Sequence, residues 1–288
     1  MKRIYPGTVA LLALAGAALV PPSAKAATVT TVYTQGDLLL GFHQSGTTND
    51  LLVDIGPASN YINATSAFTI SFGVIPGTST SVTNLSADLA AVFGSSWASN
   101  TQTNLVQWGI AGDTDHFTDG ATFGLPKNTL FLTQAEATPG VQSTPLQRFK
   151  TGTAGTLDGT LNSLATGSFG FSNSTSTVNS TVATIQPIAQ SNSWVSFNPG
   201  SNAFGTGYNI EQLPAGTNIG PTNSVLDLYQ LQPNTVNGGN GTYLGNFTLD
   251  SGGKLTFTPT PEPSTFAMIG LGVLFLATRR TRATPPIA

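Results

Sequence analysis

The sequence predicts an all-β protein: a β-sandwich or jelly-roll-like body with one short helix, flanked by an N-terminal signal helix and a C-terminal transmembrane helix. Three observations predict the body. Short β-branched or aromatic segments recur between turn residues, long Gly-, Ser-, Thr- and Asn-rich stretches separate them, and helical periodicity is scarce. The 288 residues include 32 glycines and 18 prolines, and no fixed repeat crosses them, which argues against the competing β-solenoid.

The predicted strands follow one another along the body. They lie at 28–33, 37–43, 51–55, 67–72, 105–110, 129–133, 181–185, 194–197, 225–231, 243–250 and 254–258. Strands 37–43 and 51–55 are expected to form a hairpin. The last pair is the clearest, because Leu255 and Phe257 alternate with polar residues and the loop 251–253 offers glycine where a positive φ is needed.

One helix is predicted within 85–97. Ser86 is its expected N-cap, residues 87–93 form its body and Gly94 ends it. A second short turn is expected at 100–106. The stretch 151–180 is predicted to be a loop because it holds five glycines and a hydroxyl-rich run, and 232–241 is predicted to be another flexible loop. No Pro-rich or charged linker interrupts the body, which favours one domain at 27–258.

The charges are few and unevenly placed. Only 8% of residues are charged, against about 25% in an ordinary soluble domain. Residues 27–260 hold twelve acids and four bases, a net charge of −8, whereas the first 26 residues hold three bases and no acid. The body therefore lacks the basic stripe that a nucleic-acid partner requires, and positive charge sits beside the two most apolar segments.

The N-terminus has the order of parts of an export signal. Lys2 and Arg3 precede an apolar run at 9–20, two prolines break the helix, and Ala24 and Ala26 supply the small side chains at a cleavage site. We predict a signal peptide at 1–26 that signal peptidase removes after Ala26.

The C-terminus has three parts. A proline-rich linker at 259–265 contains Pro261, Glu262, Pro263 and Ser264, and the apolar run 266–277 follows it. A run of 12–15 helical residues reaches about 18–22 Å, short of the hydrocarbon core of about 30 Å. The predicted transmembrane helix, 266–278, is therefore a marginal span.

The basic end of the chain sets the expected orientation. Arg279, Arg280 and Arg282 follow the apolar run at once. The positive-inside rule keeps these arginines, the expected membrane stop, in a cytoplasmic tail at 279–288 and leaves the body outside.

These C-terminal residues resemble the PEP-CTERM family of bacterial exported proteins, whose tails are recognised by the membrane protease-transferase exosortase. The resemblance covers about 25 residues: Pro261, Glu262, Pro263 and Ser264 match the sorting motif, 266–277 its membrane helix and the arginines its basic end. Residues 283–288 depart from tails that stop at the arginines. The resemblance implies an exported protein that is anchored transiently in the inner membrane, processed by exosortase, and delivered to the cell envelope or extracellular polysaccharide.

Few catalytic arrangements are available in the body. It contains no cysteine, and His43 and His116 are its two histidines, so a thiolate nucleophile and a histidine zinc cluster are excluded. A Ser-His-Asp triad stays open, because its members are distant along a chain. We predict no catalytic residue, no cofactor and no enzyme activity.

Two residue groups are candidates for binding. Asp113, Asp115 and Asp119 form the densest acidic cluster and could ligate Ca²⁺, but the spacing departs from an EF-hand loop, and a solvated acidic loop is favoured. Trp97, Trp108 and Trp194 could stack on sugars, but core packing is favoured for them.

The leading interpretation is a non-catalytic cell-surface or extracellular-matrix protein, whose hydroxyl- and amide-rich surface suits hydrated glycans. The alternatives are a carbohydrate-binding or adhesive module, an ice-binding module and a secreted hydrolase. The threonines lack the steady period of an ice-binding array, and the body holds only two glutamates, Glu136 and Glu211.

Overall fold

The computed structural model describes residues 33–75, 78–99, 104–114, 124–135, 145–169, 180, 182–190, 193–197 and 224–260. The strands are β1 Asp37–Gln44, β2 Asn49–Pro57, β3 Phe68–Thr69, β4 Val106–Asp113, β5 Leu130–Ala135, β6 Ala183–Pro187, β7 Ser224–Leu231, β8 Thr242–Leu249 and β9 Leu255–Pro259. The helices are α1 Ser59–Ile62, α2 Ser86–Phe93, α3 Thr151–Phe169 and α4 Trp194–Phe197.

All nine strands of this part of the chain join one antiparallel sheet in the order β3-β9-β8-β7-β5-β4-β1-β2-β6. β1 lies inside it, pairing with β2 through Phe42 and Leu51 and with β4 through Leu40 and Ile110. Leu38, Leu40 and Phe42 point to one face and Leu39 to the other. The central strands are therefore apolar on both faces, because both faces are covered.

The sheet curls around an inner core. Tyr61, in α1 directly after β2, contacts the rings of Phe68, Phe247 and Phe257 on the distant strands β3, β8 and β9, with centroids 5.7, 5.2 and 5.1 Å away. Its hydroxyl donates to the carbonyl of Ile55 at 2.6 Å. This buried tyrosine thus links the end of β2 to strands that lie five to seven places away in the sheet, and α2 adds its own apolar residues to the same core.

An outer core fills the opposite face. Leu39, Leu52 and Leu132 project from the sheet, and helices α3 and α4 cover them with the apolar residues Ala154, Leu157, Leu161, Leu164, Trp194 and Phe197. The leucines of α3 recur at intervals of four and three residues, so they form one buried stripe. The exposed side of α3 carries threonine, glycine and serine.

Most predicted strands are confirmed. Those at 37–43, 51–55, 105–110, 129–133, 225–231, 243–250 and 254–258 match observed strands within a few residues, and 181–185 is shifted by two. The strand expected at 67–72 is reduced to Phe68–Thr69. Gly253 has a φ of 77°, as the last hairpin requires. The strand at 28–33 falls outside the described residues apart from its last position.

The helix at 86–93 is confirmed, and Gly94 ends it with a φ of 87°. The expected N-cap is wrong, since Leu85 occupies that position and Ser86 is the first helical residue. Residues 100–103 of the predicted second turn lie outside the described part, and β4 begins at Val106.

Three other expectations are wrong. Residues 194–197 form α4 because side chains satisfy its first amides: Gln186 Oε1 accepts from Trp194 N at 2.8 Å, and Asp50 Oδ2 accepts from Val195 N at 3.0 Å. Residues 151–169 form α3, whose buried leucine stripe outweighs its glycines. In place of the two sheets of a β-sandwich or jelly roll there is one continuous sheet, because β5 pairs with β4 on one side and β7 on the other.

Candidate functional site

The C-terminal segment of the chain leaves the sheet directly after its last strand. Pro259, the final residue of β9, pairs with Gly245 of β8, and Thr260 N donates to the carbonyl of Leu244 at 3.0 Å. Gly245 has a φ of 149°, and a Cβ there would lie 2.3 Å from the carbonyl oxygen of Thr258. β9 is therefore held tightly against β8 up to the residue that precedes Pro261.

Antiparallel pairing brings several connections to the same end of the sheet as Thr260. β1 begins there, β4 ends there, and the segments 124–129 and 232–241 border it. We call this the tail end, and the end bearing the loop 250–254 the hairpin end. The N-terminal entry to the body and the C-terminal exit from it thus share one end of the sheet.

The segment 232–241 is fastened at the tail end, which corrects the expectation of a flexible loop. Arg148 Nε donates to the carbonyl of Gln232 at 2.7 Å, and its Nη2 donates to that of Pro233 at 3.1 Å. Asn234 N donates to the carbonyl of Phe149 at 2.8 Å. Val236 projects from this segment with 63% of its surface exposed.

The predicted sorting and cleavage residues lie outside the described residues. These are Ala24, Ala26, Pro261, Glu262, Pro263, Ser264, Arg279, Arg280 and Arg282. His116, Asp115, Asp119, Glu136 and Glu211 also lie outside. In the part of the chain that the structure covers, no helix is long and apolar enough to cross a membrane.

Asp113 is buried, which is contrary to the solvated loop that the sequence favours for it. Leu38 pairs with Gly112, so Asp37 and Asp113 occupy adjacent positions on the outer face at the tail end. Asp54 pairs with Leu39 on that face, and α3 brings Asp158 over it. Each of these four aspartates is at most 3% exposed.

The four carboxylates affect Tyr33, and Asp37 also interacts with Asp54. Burial raises the pKa of Tyr33 well above its ordinary value, and the charges of Asp113, Asp37, Asp54 and Asp158 raise it further. Burial also raises the pKa of Asp37, while the Thr34 amide, which donates to Asp37 Oδ2 at 2.9 Å, and the Asp54 carboxyl oppose the shift. The described residues contain no group of three or more His, Cys, Asp or Glu side chains arranged to hold a metal ion.

His43 belongs to a structural clamp on the outer face. Its Nδ1 lies 2.7 Å from Oδ1 of the fully buried Asp50, and the other Asp50 oxygen accepts the Val195 amide. The pair therefore joins β1, β2 and α4. The sequence did not predict this clamp, because seven residues separate its partners across a hairpin and nothing in the pattern fixes the face that each occupies.

The three tryptophans pack in the cores, as the sequence favoured. Trp97 is 4% exposed, and Trp108 and Trp194 are fully buried. Trp108 Nε1 donates to Ser224 Oγ at 3.0 Å, which satisfies the polar atom of the indole. None of these rings offers a free face to a sugar.

Comparison with family models finds the PEP-CTERM protein-sorting motif at residues 259–282. This match begins at the last residue of β9 and spans the proline-rich linker, the apolar run and the arginines. It confirms the resemblance seen in the sequence and supports sorting by exosortase of an exported protein. No curated protein and no solved structure matches the chain.

Proposed function

We propose that the chain is a non-catalytic exported protein of the cell envelope or extracellular polysaccharide matrix, held at the inner membrane by residues 266–278 until exosortase removes that anchor. The single observation that carries the proposal is the sorting-motif match at 259–282. In the proposed organisation, signal peptidase first removes 1–26, and the body at 27–258 is carried outside while 279–288 stay cytoplasmic.

The two prolines of the motif explain how exosortase would recognise it. Pro261 and Pro263 lack backbone N–H donors and favour an extended conformation at and before each ring. An extended segment with few internal hydrogen bonds can be bound by a protease as a strand. Glu262 supplies the one charge of the motif, which a basic group of exosortase would recognise.

The way the body ends also supports the proposal. Thr260 is still hydrogen-bonded to β8, so removal of everything beyond the motif leaves the sheet complete. The body needs no disulfide, since the chain has no cysteine, and its two cores bury the large apolar side chains. A released body is therefore expected to remain folded outside the cell.

The experiment is replacement of Pro261, Glu262 and Pro263 by alanine in a host that makes exosortase. The variant is expected to accumulate in the inner membrane with its tail intact, whereas the parent reaches the envelope or medium. A matched control, Ser251→Ala, changes an exposed loop residue at the hairpin end and is expected to be delivered normally. Normal delivery of the triple-alanine variant would refute sorting through this motif.

A further inference from the structure

The matched sorting motif begins inside the folded sheet. Its first residue, Pro259, pairs with Gly245 of β8. The next residue, Thr260, donates its backbone N–H to the carbonyl of Leu244 at 3.0 Å. Pro261 follows directly, and consecutive Cα atoms are about 3.8 Å apart. An enzyme that binds Pro261 as part of an extended strand therefore meets the body within one residue.

β8 continues past this point and flanks the exit of the chain. Since β8 and β9 are antiparallel, the first two residues of β8, 242–243, lie beyond Thr260. Neighbouring strands are about 4.8 Å apart, so a groove that encloses the chain next to Thr260 collides with β8. The start of β8 is itself held in place, because Gly241 N donates to the carbonyl of Leu146 at 2.7 Å.

The last three residues of β9 are the part that can move aside. β3 pairs with β9 at Thr256 and Phe257, so within the described part of the chain 258–260 are paired with β8 alone. The side chains of 258–260 are exposed or half-buried, whereas Phe257 is fully buried and packs on Tyr61, with ring centroids 5.1 Å apart. Detachment of 258–260 therefore breaks backbone pairing with one strand and leaves the inner core closed.

We propose that exosortase processes this protein through a local opening, in which 258–260 detach from β8 and present the motif as a free strand. This proposal rests on the proposed function, because it adds a step to the use of the same motif. Pairing with β8 then slows processing of the folded body. The fraction of molecules in which the end of β9 is detached sets the rate when opening and closing are faster than cleavage.

A flexible insertion tests the obstruction in the full-length chain. A glycine-serine segment of six residues between Thr260 and Pro261 moves the motif away from β8 by up to about 20 Å. Pulse-chase labelling in a host that makes exosortase measures how fast the precursor is shortened. The rate is expected to rise several-fold. The matched control places the same segment between the exposed Ser45 and Gly46, in the loop between β1 and β2, and is expected to leave the rate unchanged.

Gly245→Ala tests the opening itself without lengthening the chain. A Cβ at this position would lie 2.3 Å from the carbonyl oxygen of Thr258, so alanine weakens the pairing of the residues that must detach. The population of the open form, and with it the processing rate, is expected to rise about 5–30-fold. In the chain that carries the insertion after Thr260, the same substitution is expected to add little, because the motif is already clear of β8.

Gly112→Ala is the control for a general loss of stability. Gly112 lies in β4, four places from β9 in the sheet, and a Cβ there would lie 2.4 Å from Cδ2 of Leu38. This variant is expected to lower the unfolding midpoint while it is processed at the parent's rate. Equal acceleration by Gly112→Ala and Gly245→Ala would overturn the local opening and indicate that globally unfolded chains are the ones cleaved.

The outcomes separate this proposal from the proposed function. A parent chain that exosortase does not shorten refutes sorting through the motif, and both proposals fail. A parent that is shortened at the same rate with and without the insertion after Thr260 refutes the local opening alone. The opening is also refuted if Gly245→Ala is folded, loses amide protection in β9 and keeps the parent's rate. If Gly245→Ala does not fold, the insertion and its control decide the test.

Discussion

Gly41 of β1 is the site of the sharpest stability prediction. A Cβ at this position would lie 2.0 Å from Cδ2 and Cε2 of Trp194, whereas carbon atoms in contact are ordinarily about 3.5–4.0 Å apart. Gly41→Ala therefore requires the indole to retreat by about 1.5–2 Å. Trp194 is fully buried and lies on Phe197, with ring centroids 5.8 Å apart, so that retreat would disturb the packing of the outer core.

The expected loss of stability in Gly41→Ala follows from the packing of Trp194 that the substitution disturbs. Overpacking that a core absorbs costs about 1–3 kcal/mol, and loss of a buried large aromatic side chain costs about 3–5 kcal/mol. We expect the free energy of unfolding to fall by about 3–5 kcal/mol, because the displaced indole also loosens α4.

A double-mutant cycle tests the reasoning. Trp194→Ala is expected to cost about 3–5 kcal/mol by itself, and adding Gly41→Ala to it is expected to cost little more, since the clash is gone. Urea unfolding followed by circular dichroism measures each step. A cost below about 1 kcal/mol for Gly41→Ala, or additive costs in the double variant, would refute the proposed contact.

Gly159→Ala is the matched control for this series. Gly159 lies exposed in α3, and a Cβ there would have no heavy atom within 4 Å. Alanine is favoured over glycine in a helix by about 1 kcal/mol. The same substitution is therefore expected to stabilise the protein here, opposite in sign to its effect at position 41.

Two further predictions concern the buried aspartates at the tail end and the last hairpin. Burial raises the folded-state pKa of Asp37, so the stability that this carboxyl contributes falls as the pH rises from its unfolded-state pKa through its folded-state pKa. Asp37→Asn should therefore raise the unfolding temperature at pH 7 and lose this advantage near pH 4. An equal loss of stability at both pH values would contradict the assignment. Gly245→Ala places a Cβ 2.3 Å from the carbonyl oxygen of Thr258 and should cost about 1–3 kcal/mol, with loss of amide protection in β9 in hydrogen exchange; unchanged protection there would contradict the close pairing.

The sequence predicts the strands well where burial alternates or where both faces are apolar. Leu255 and Phe257 alternate with polar residues, and Leu38, Leu39 and Leu40 form an unbroken apolar run, and both patterns correspond to observed strands. The single sheet was not predictable in the same way. Its continuity depends on the pairing of β5 with β7, which are about ninety residues apart along the chain.

Helices α3 and α4 show why local composition misleads. The glycines of 151–169 favour a loop, yet Leu157, Leu161 and Leu164 already have helical spacing in the sequence, and this signal outweighs the glycines once the outer core covers it. The aromatic and β-branched residues of α4 predict a strand. It becomes a helix because Gln186 and Asp50, from β6 and β2, accept its first amides.

One part of the candidate site can be recognised from the sequence, and the other part depends on the fold. Pro261, Glu262 and Pro263, with the apolar run and arginines, form a linear motif, so their meaning is present in the order of residues and the match at 259–282 agrees with it. The meeting of 124–129 and 232–241 at the tail end depends on the pairing of strands that are distant along the chain. Nothing in the sequence indicates that Arg148 fastens 232–241.

The most direct test of the central claim is the intact mass of the mature protein recovered from the envelope or medium of a host that makes exosortase. Proteolytic sorting predicts a polypeptide that lacks the apolar run 266–277 and the arginines that follow it, and accumulation of the uncleaved form in the inner membrane when exosortase is deleted. A mature surface protein that still carries residues 266–288 would contradict it.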